Sequence, residues 1–423
     1  MSLSSASLCG YVEEMDVLFL SPAWPSEMPS FVVGLRAAGA RVHGVGDSHG
    51  LPNGLRDVMA SYQQVPSMGN IDDVRAQVLA AWSAAGRRPD RVEALWEPLT
   101  VLAAELREAF GIPGMSPGTV VGFRDKAVMR ARVAAAGLRV PRTERVSTRK
   151  AAWDAAEVVG FPGVVKPVSG AGSADTSRCD TVIQFEAALQ ATSGHAELLV
   201  EEFIDGPEFT YETLCIAGQP VYESVCRYEP NTLIARQNQW ISPIIQSVRS
   251  NDAPDIRAGV ELGRDVLRAL GMGTGLTHME WFRDRNGDAI FGEIACRPPG
   301  ANMVDLMNYS DDADLYRAWA DAVCWGKAPA FRGGAGGRKW SAAIVFKRAE
   351  GEGTIRDVPG LSAFMSRYGQ HVIRQDLLPV GAQRRNWQET FLSDGNVVVR
   401  HEDEAECARI ARAFADSVRM VAS

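Results

Sequence analysis

Short apolar runs alternate with amphipathic segments in the first hundred residues of the chain. The runs have the length of buried strands, and the amphipathic segments repeat with the period of a helix. The predicted elements are strands at 15–21, 40–45 and 91–96 and helices at 28–38 and 99–110. Because strands that alternate with helices build a parallel sheet covered by helices, the pattern predicts an α/β domain over residues 1–115.

The remainder of the chain mixes strands and helices without this regular alternation and is typical of an α+β fold. The predicted elements are helices at 124–136, 150–159, 185–191 and 404–418 and strands at 164–167 and 197–203. Two segments predict boundaries between domains: residues 111–117 are rich in glycine and proline, and residues 332–337 are rich in glycine. The pattern therefore predicts a division into residues 1–115, 116–202, 203–330 and 331–423.

Composition narrows the classes of function. The 46% apolar and 23% charged residues are those of an ordinary globular protein, and a net charge of −8 argues against a nucleic-acid-coating or membrane-surface role. Seven cysteines are widely scattered without a C-x-x-C pair, which suits a reducing compartment. With neither a signal-peptide pattern nor an apolar stretch of membrane-spanning length in the sequence, we expect a cytoplasmic protein.

Two lysines stand next to segments that suit phosphate binding. Lys126 lies at the start of a predicted helix, and Lys166 stands near the end of a predicted strand. The loop that follows, residues 169–173, is rich in glycine and serine, so its backbone N–H groups can approach phosphate oxygens. An ordinary surface turn also explains the glycines, so the loop alone does not decide. The Walker pattern does not occur, which excludes a P-loop enzyme.

The segment from 200 to 209 runs from a strand into Gly206-Pro207. Such a strand suits a hinge between two lobes, where an exposed backbone edge can pair with a purine ring. Glu208, just past the turn, is placed to accept hydrogen bonds from ribose hydroxyls. A solvated strand edge rich in carboxylates is the alternative interpretation.

A hairpin is predicted between residues 277–283 and 289–295, because the intervening Asn286-Gly287 is the strongest short hairpin signal. A two-residue type I′ turn at this dipeptide fixes the register of the two strands. The resulting cross-strand pairs are Glu280 with Glu293, Trp281 with Gly292 and Phe282 with Phe291.

Two carboxylates directly opposite each other destabilise a sheet by roughly 0.2–1 kcal/mol unless something offsets their repulsion. Their hard oxygen atoms suit Mg²⁺, which takes one or two carboxylates together with substrate phosphates. Arg297, four residues past Glu293, is the other candidate to neutralise the pair. The pattern leaves both a metal site and a salt bridge open.

These four features, in this order along essentially the whole chain, resemble the ATP-grasp superfamily. The resemblance implies an ATP-grasp architecture with an N-terminal Rossmann-like domain before the ATP-enclosing lobes. Residues 1–115 would form that pre-ATP-grasp domain, 116–202 the small lobe with its entry helix, 203–330 the large lobe with the metal site, and 331–423 a C-terminal α+β segment.

Matching positions imply the residues that bind the cofactors. Those implied for ATP are Lys126 and Lys166 on the α- and β-phosphates, Ser169, Gly170, Gly172 and Ser173 in a flexible loop, Glu201, Phe203 and Ile204 at the adenine, and Glu208 at the ribose. Glu280 and Glu293 would hold one or two Mg²⁺ ions, for which Mn²⁺ is a substitute. Arg297 would contact the γ-phosphate or an acyl phosphate, and Lys166 and Arg297 would stabilise charge during phosphoryl transfer.

Within the superfamily, the segments Glu293–Arg297 and His278–Glu280 look like those of L-amino acid (dipeptide) ligases. That branch usually carries a Glu and a His shortly before a Ser/Thr-Pro. Here Gln237 and Trp240 precede Ser242-Pro243, and together with His278 they are the candidate substrate contacts. Because a carboxylate that recognises ammonium is missing at this point, the sequence does not establish that the acid substrate is a free α-amino acid.

The resemblance implies an ATP- and Mg²⁺-dependent ligase that joins a small carboxylic acid to an amine, both amino-acid-like, through an acyl phosphate, releasing ADP and phosphate. A carboxylase or an acyl kinase on the same scaffold, and a non-catalytic nucleotide-binding regulator, are the alternatives. The C-terminal segment would complete the substrate pocket or form a homodimer contact.

Overall fold

The computed structural model describes residues 15–48, 50–168, 176–331, 337–387 and 393–423. It has two compact units, of which the first runs to Pro117 and includes Tyr316–Ala328, and the second comprises Gly118–Leu315 and Pro329–Ser423. The first unit thus includes residues 316–328 as well, and the expected four-part division stays a prediction. None of the helices described is long and apolar enough to cross a membrane.

The first unit is built on a four-stranded parallel sheet with strand order β3-β2-β1-β4. Its elements are β1 (Met15–Leu20), α1 (Met28–Ala37), β2 (Ala40–Gly46), α2 (Leu55–Val58), β3 (Ser61–Gln64), α3 (Ile71–Ala84), β4 (Arg91–Ala94), a 3₁₀ turn (Glu97–Leu99) and α4 (Thr100–Phe110). The strands and helices predicted here are confirmed, as is the parallel sheet. Helices α3 and α4 bury apolar side chains such as Val74, Val78 and Leu102 against it.

The second unit contains a four-stranded antiparallel sheet with order β5-β8-β6-β7. The elements of this region are α5 (Pro117–Arg124), α6 (Lys126–Ala135), β5 (Thr143–Val146), α7 (Arg149–Val159), β6 (Gly163–Pro167), β7 (Ser177–Cys179), α8 (Val182–Ala191) and β8 (Leu198–Glu202). The single helix predicted at 124–136 is wrong in its start. Asp125 is extended and its carboxylate accepts the N–H groups of Ala127 and Val128, so α6 begins afresh at Lys126.

The second unit also contains an eight-stranded sheet with order β13-β12-β9-β10-β11-β14-β17-β16. The elements that follow β8 along the chain are β9 (Glu208–Ile216), β10 (Gln219–Glu229), α9 (Thr232–Gln237), β11 (Ile244–Ser247), α10 (Arg257–Leu270), β12 (Gly275–Arg283), β13 (Ala289–Ala295), α11 (Met303–Asp311), α12 (Leu315–Trp325), β14 (Ser341–Lys347), β15 (Ile355–Asp357), α13 (Leu361–Tyr368), a 3₁₀ turn (Gly369–His371), β16 (Val372–Leu377), β17 (Gly395–His401), α14 (Glu404–Ser417) and β18 (Val421–Ala422). Of these, α12 belongs to the first unit from Tyr316 onward, and β15 pairs with β18 in a separate two-stranded sheet. Strands β14, β16 and β17 share the eight-stranded sheet with β9–β13, so residues 331–423 are not a separate layer.

The hairpin β12–β13 places Glu280 directly opposite Glu293, as predicted, but by a different route. The predicted pairs Trp281 with Gly292 and Phe282 with Phe291 are wrong, because Trp281 faces Phe291 and Phe282 faces Ile290. The register changes at Gly292, which forms a bulge.

The predicted type I′ turn is also wrong. The last paired residues are Arg283 and Ala289, which leaves a five-residue loop. Only Gly287 of the Asn286-Gly287 dipeptide has the positive φ that this turn needs at both positions. The Asp284 side chain accepts the N–H groups of Asn286 and Asp288, at 2.8 and 2.9 Å, and this holds the wider loop.

Helix α10 packs closely on the face of β9 and β12 that carries Tyr211 and Trp281. A Cβ at Gly259 would lie 2.1 Å from the Trp281 ring, and one at Gly263 would lie 2.3 Å from the Tyr211 ring. Because side chains alternate along a strand, Glu280 points to the opposite face, away from this helix. Small residues on α10 therefore anchor the strand that carries Glu280.

Candidate active site

A pocket in the second unit brings together most of the predicted site residues that the structure describes. Its lining includes three cationic side chains, those of Lys126, Arg130 and Lys166, and five carboxylates, those of Glu201, Glu202, Glu208, Glu280 and Glu293. The smaller sheet and α6 supply the cations, Glu201 and Glu202, and the larger sheet supplies the other three carboxylates.

Glu201 on β8 is buried and has both carboxylate oxygens in ion pairs. Lys166 Nζ lies 2.7 Å from Oε2, and Arg130 contacts Oε1. Although burial alone raises the pKa of Glu201, the two cations hold it below its usual value. For Lys166, burial outweighs the attraction of Glu201 and lowers the pKa of the ammonium. The Glu201 carboxylate, expected near the adenine, thus contacts the predicted phosphate ligand Lys166.

Glu280 and Glu293 face each other across β12 and β13, and their side chains keep 24% and 41% of their surface exposed. Lys126 Nζ at the start of α6 lies 2.9 Å from Glu293 Oε2. Removal from bulk water opposes ionisation of Glu293, but Lys126 and Lys166 lower its pKa to about 2. Glu293 is therefore an anion at neutral pH with part of its surface open to the pocket.

His278 stands between two carboxylates on the same sheet. Its Nδ1 lies 2.8 Å from Glu212 Oε1, and its Nε2 lies 3.7 Å from Glu280 Oε1. Burial disfavours the charged imidazole, but Glu212 overrides this effect and raises the pKa of His278 to about 10. The ring is thus an imidazolium at neutral pH.

Glu208, the predicted ribose ligand, begins β9 and is buried. Its carboxyl oxygens accept hydrogen bonds from the Thr232 backbone N–H at 2.7 Å and the Thr232 hydroxyl at 3.1 Å. Burial, with a smaller contribution from Glu280, raises the pKa of Glu208 to about 8. This carboxyl is therefore largely protonated near neutral pH, unlike Glu201 and Glu293.

The segment after β8 lines the same pocket through Phe203 and Ile204. The Arg178 guanidinium lies 4.0 Å from the centroid of the Phe203 ring, and the Phe203 N–H donates to the Pro162 carbonyl. Arg297 follows β13, and its guanidinium donates to the Pro298 carbonyl at 2.9 Å. The sequence left open that an ion pair neutralises the glutamates. Glu293 does form such an ion pair, with Lys126.

Some predicted residues are not part of this assembly. Ser169, Gly170, Gly172 and Ser173 lie outside the described residues, as does the side chain of Gln237 at the end of α9. Trp240 is 79% exposed and borders a second cavity beside Ser242 and Lys347. The structure thus does not bring Trp240 to the pocket that contains the paired glutamates.

Residues 131–310 match the family model described as the ATP-grasp domain. This part of the chain is an ATP-grasp domain. Lys166, Glu201, Glu280 and Glu293 lie inside the matched range, whereas Lys126 precedes it by a few residues.

The chain is similar to two ligases from Bacillus subtilis. The chain is 25% identical over 236 residues to the L-arginine-specific L-amino acid ligase of Bacillus subtilis, a match that covers 54% of this chain and 56% of that one. It is 26% identical over 245 residues to the alanine–anticapsin ligase of the same organism, with 53% and 52% covered. The chain therefore spans about half the length of these relatives.

The crystal structure of an L-amino acid ligase from Bacillus licheniformis superposes on this chain with a TM-score of 0.76 at 20% identity. The superposition covers 97% of this chain and 99% of that one. It confirms the ATP-grasp fold that the sequence predicts, including the regions outside the matched domain.

The donor set of the ATP-grasp domain fits Mg²⁺ and a triphosphate. Glu280 and Glu293 lie opposite each other on one face of the hairpin and carry hard, partly exposed oxygen atoms. Mg²⁺ commonly uses one or two carboxylates plus phosphate oxygens. Among the described residues, no group of three or more His, Cys, Asp or Glu side chains is arranged to hold a metal ion. A metal held by this pair thus takes its other ligands from water or phosphate, which the cations of the pocket also attract.

Sequence reasoning missed two residues that line the pocket, Arg130 and Thr232, and one buried residue behind it, Glu212. Arg130 had a usable signal, because it stands four residues after Lys126 and so shares its helix face. Glu212 had a weaker one, because it stands four residues after Glu208 in a strand and so shares its face. Thr232 had none, since its contact with Glu208 depends on how α9 is placed.

Proposed function

We propose that this chain is an ADP-forming ligase that uses ATP and Mg²⁺ to join a small carboxylic acid to an amine through an acyl phosphate. The observation that carries the proposal is the cross-strand pair Glu280 and Glu293 in one pocket with three cationic side chains. Carboxylates held together against their repulsion are needed for a divalent cation and are of no use for adenine binding alone.

Each side of the pocket has a distinct role in this proposal. Glu280 and Glu293 hold Mg²⁺, which supplies charge neutralisation and orientation for the triphosphate. Lys126 and Lys166 bind phosphate oxygens, and Arg297 stabilises the charge on the group being transferred. The backbone of Phe203 and Ile204 meets the adenine, and Glu208 meets the ribose.

The covalent steps need little from the protein beyond position and charge. A substrate carboxylate oxygen attacks the γ-phosphorus and ADP leaves; the amine then attacks the acyl carbon and phosphate leaves. Arranging the two reactants in one site makes each attack effectively unimolecular, and enclosure protects the acyl phosphate from water. Cations fixed in the pocket, with no need to reorganise, stabilise the charge that moves between oxygens.

The relatives support amino-acid-like substrates. One is named for L-arginine and L-amino acids and another for alanine and anticapsin, so both names specify an amino-acid partner. We infer that the acid and the amine used by this chain are of this class.

The test is a phosphate- and ADP-release screen of carboxylic acids against amines, with mass spectrometry of each hit. We expect a product formed only when acid, amine, ATP and Mg²⁺ are all present. Glu293→Gln should lower kcat by about 100–1,000-fold, because an anionic ligand that would position Mg²⁺ at the transferring group is lost. Glu350→Gln, which changes an exposed carboxylate paired with Arg419, is the matched control and should keep wild-type turnover.

Other outcomes contradict the proposal in recognisable ways. Bicarbonate dependence without amine dependence identifies a carboxylase, and an acyl phosphate formed without amine identifies an acyl kinase. Nucleotide binding without turnover for any acid–amine pair identifies a regulator. Equal turnover in Glu293→Gln and wild type removes the role given to the glutamate pair.

A further inference from the structure

A buried carboxylate lies behind the glutamate pair and does not line the pocket. Glu212 on β9 keeps only 1% of its surface exposed. It stands directly opposite His278 on β12, and its Oε1 lies 2.8 Å from His278 Nδ1. Its other oxygen, Oε2, is buried without a hydrogen-bond partner among the described residues.

His278 connects this buried carboxylate to the metal candidates. It lies two residues before Glu280 on β12, so both side chains point to the same face of the sheet. With Nδ1 held by Glu212, the ring turns Nε2 toward Glu280 Oε1, at 3.7 Å. Glu293 has an ion-pair partner in Lys126, and Glu280 has one in His278.

Burying the Glu212 carboxylate has a cost that a purely apolar strand would avoid. In return, the hydrogen bond to Glu212 fixes the orientation of the His278 ring. Residues around metal sites are commonly oriented by hydrogen bonds of this kind. We infer that Glu212 is a positioning residue, which acts through His278 to hold the Glu280 carboxylate in place for the Mg²⁺–nucleotide complex. This inference rests on the proposed function and assigns His278 to the metal side of the site in place of the predicted substrate contact.

The experiment measures Mn²⁺ affinity by electron paramagnetic resonance with ADP present, so that no turnover is needed. Glu212→Ala should weaken Mn²⁺ binding by about 10–100-fold, the usual effect of removing a group that orients a metal ligand. Glu212→Gln should recover most of the affinity, because its amide oxygen still accepts the Nδ1–H. ADP affinity without metal should stay unchanged in both variants.

Ser224→Ala is the matched control, because Ser224 faces Glu212 from β10, is equally buried and does not hold His278. It should bind Mn²⁺ like wild type. If Glu212→Ala does not fold, the positioning role is tested with His278→Gln and Glu212→Gln instead. His278→Gln should then show the full loss of Mn²⁺ affinity. Adding Glu212→Ala to His278→Gln should cause no further loss, since both act through one contact.

Wild-type protein that binds no Mn²⁺ with ADP contradicts the proposed function itself. Wild-type protein that binds Mn²⁺ with ADP, while Glu212→Ala or His278→Gln binds it equally well, overturns only the positioning role. A loss in Ser224→Ala as large as that in Glu212→Ala also overturns it, because a general disturbance of the sheet then explains the result.

Discussion

The carboxylate of Glu201 and the carboxylate pair of Glu280 and Glu293 border the same pocket, and their charges are neutralised in different ways. Glu201 is buried, and the cations Lys166 and Arg130 take both of its oxygens. Glu280 and Glu293 face each other, have one cationic partner each, Lys126 for Glu293 and His278 for Glu280, and stay partly exposed. The Glu201 carboxylate therefore has its partners within the protein. The pair Glu280 and Glu293 keeps exposed oxygen surface to which a ligand from outside the protein can bind.

The difference separates a structural role from a binding role for residues of one type. A buried ion network fixes its members, so Glu201 holds the Lys166 ammonium in place before any ligand arrives. In the open pair each carboxylate has one cationic partner, and part of its oxygen surface stays available to a further cation. Changes to Glu201 should therefore act first on stability, and changes to Glu293 first on turnover.

The largest expected effect on stability is that of Glu201→Ala. Removing this carboxylate leaves the charges of Lys166 and Arg130 together in a buried place, which typically costs about 3–5 kcal/mol. Urea denaturation should show this decrease in the free energy of unfolding.

Glu197→Ala is the matched control, because Glu197 lies just before the same strand and forms an exposed ion pair with Arg145. Exposed pairs are weakened by solvent and contribute little to stability, so the loss on removing Glu197 should be small. Similar unfolding free energies for Glu201→Ala and Glu197→Ala would show that the buried network is not structural.

The hairpin shows how far the sequence predicts the site. The pairing of Glu280 with Glu293 was correct, but it results from two departures of one residue each that cancel. The loop held by Asp284 shifts the register one way, and the bulge at Gly292 shifts it back. Local sequence contains both signals, an Asp before the loop and a Gly within a strand, yet it does not say which turn wins.

The contacts around Glu201 were beyond a sequence-based prediction for another reason. Strand β8 pairs with β5 and β6, and only that register brings the Glu201 side chain near Lys166. Residues this far apart in the chain meet through the fold as a whole. The types of the elements were predictable because helix and strand periods are local, whereas the partners of buried charges were not.

A medium effect is expected at the bulge that aligns the open pair. A Cβ at Gly292 would lie 2.8 Å from the Glu280 carbonyl oxygen, so Gly292→Ala must move the backbone of one strand. We expect a loss of about 1–3 kcal/mol in stability, and weaker Mn²⁺ binding with ADP because Glu280 and Glu293 move apart.

Thermal unfolding and the same resonance measurement check this expectation. Gly194→Ala is the control, since a Cβ there meets nothing within 4 Å. A Gly292→Ala protein with wild-type Mn²⁺ affinity would show that the facing geometry of the two carboxylates is not what binds the cation.

An effect that appears only as the pH changes concerns Glu208, a carboxyl neutralised in a third way, by its own proton. Its pKa is about 8 when folded against a usual 4.5, so its contribution to stability is present below pH 4.5 and is lost as the pH rises toward 8. The loss is at most about 1.4 kcal/mol per pH unit.

Glu208→Gln lacks this titration and keeps oxygen and amide partners for Thr232, so its melting temperature should gain on wild type between pH 5 and 8. The exposed variant Glu229→Gln should show no such gain. Parallel pH profiles for Glu208→Gln and wild type would mean that Glu208 is ionised in the folded chain, which would place it with Glu201 and Glu293.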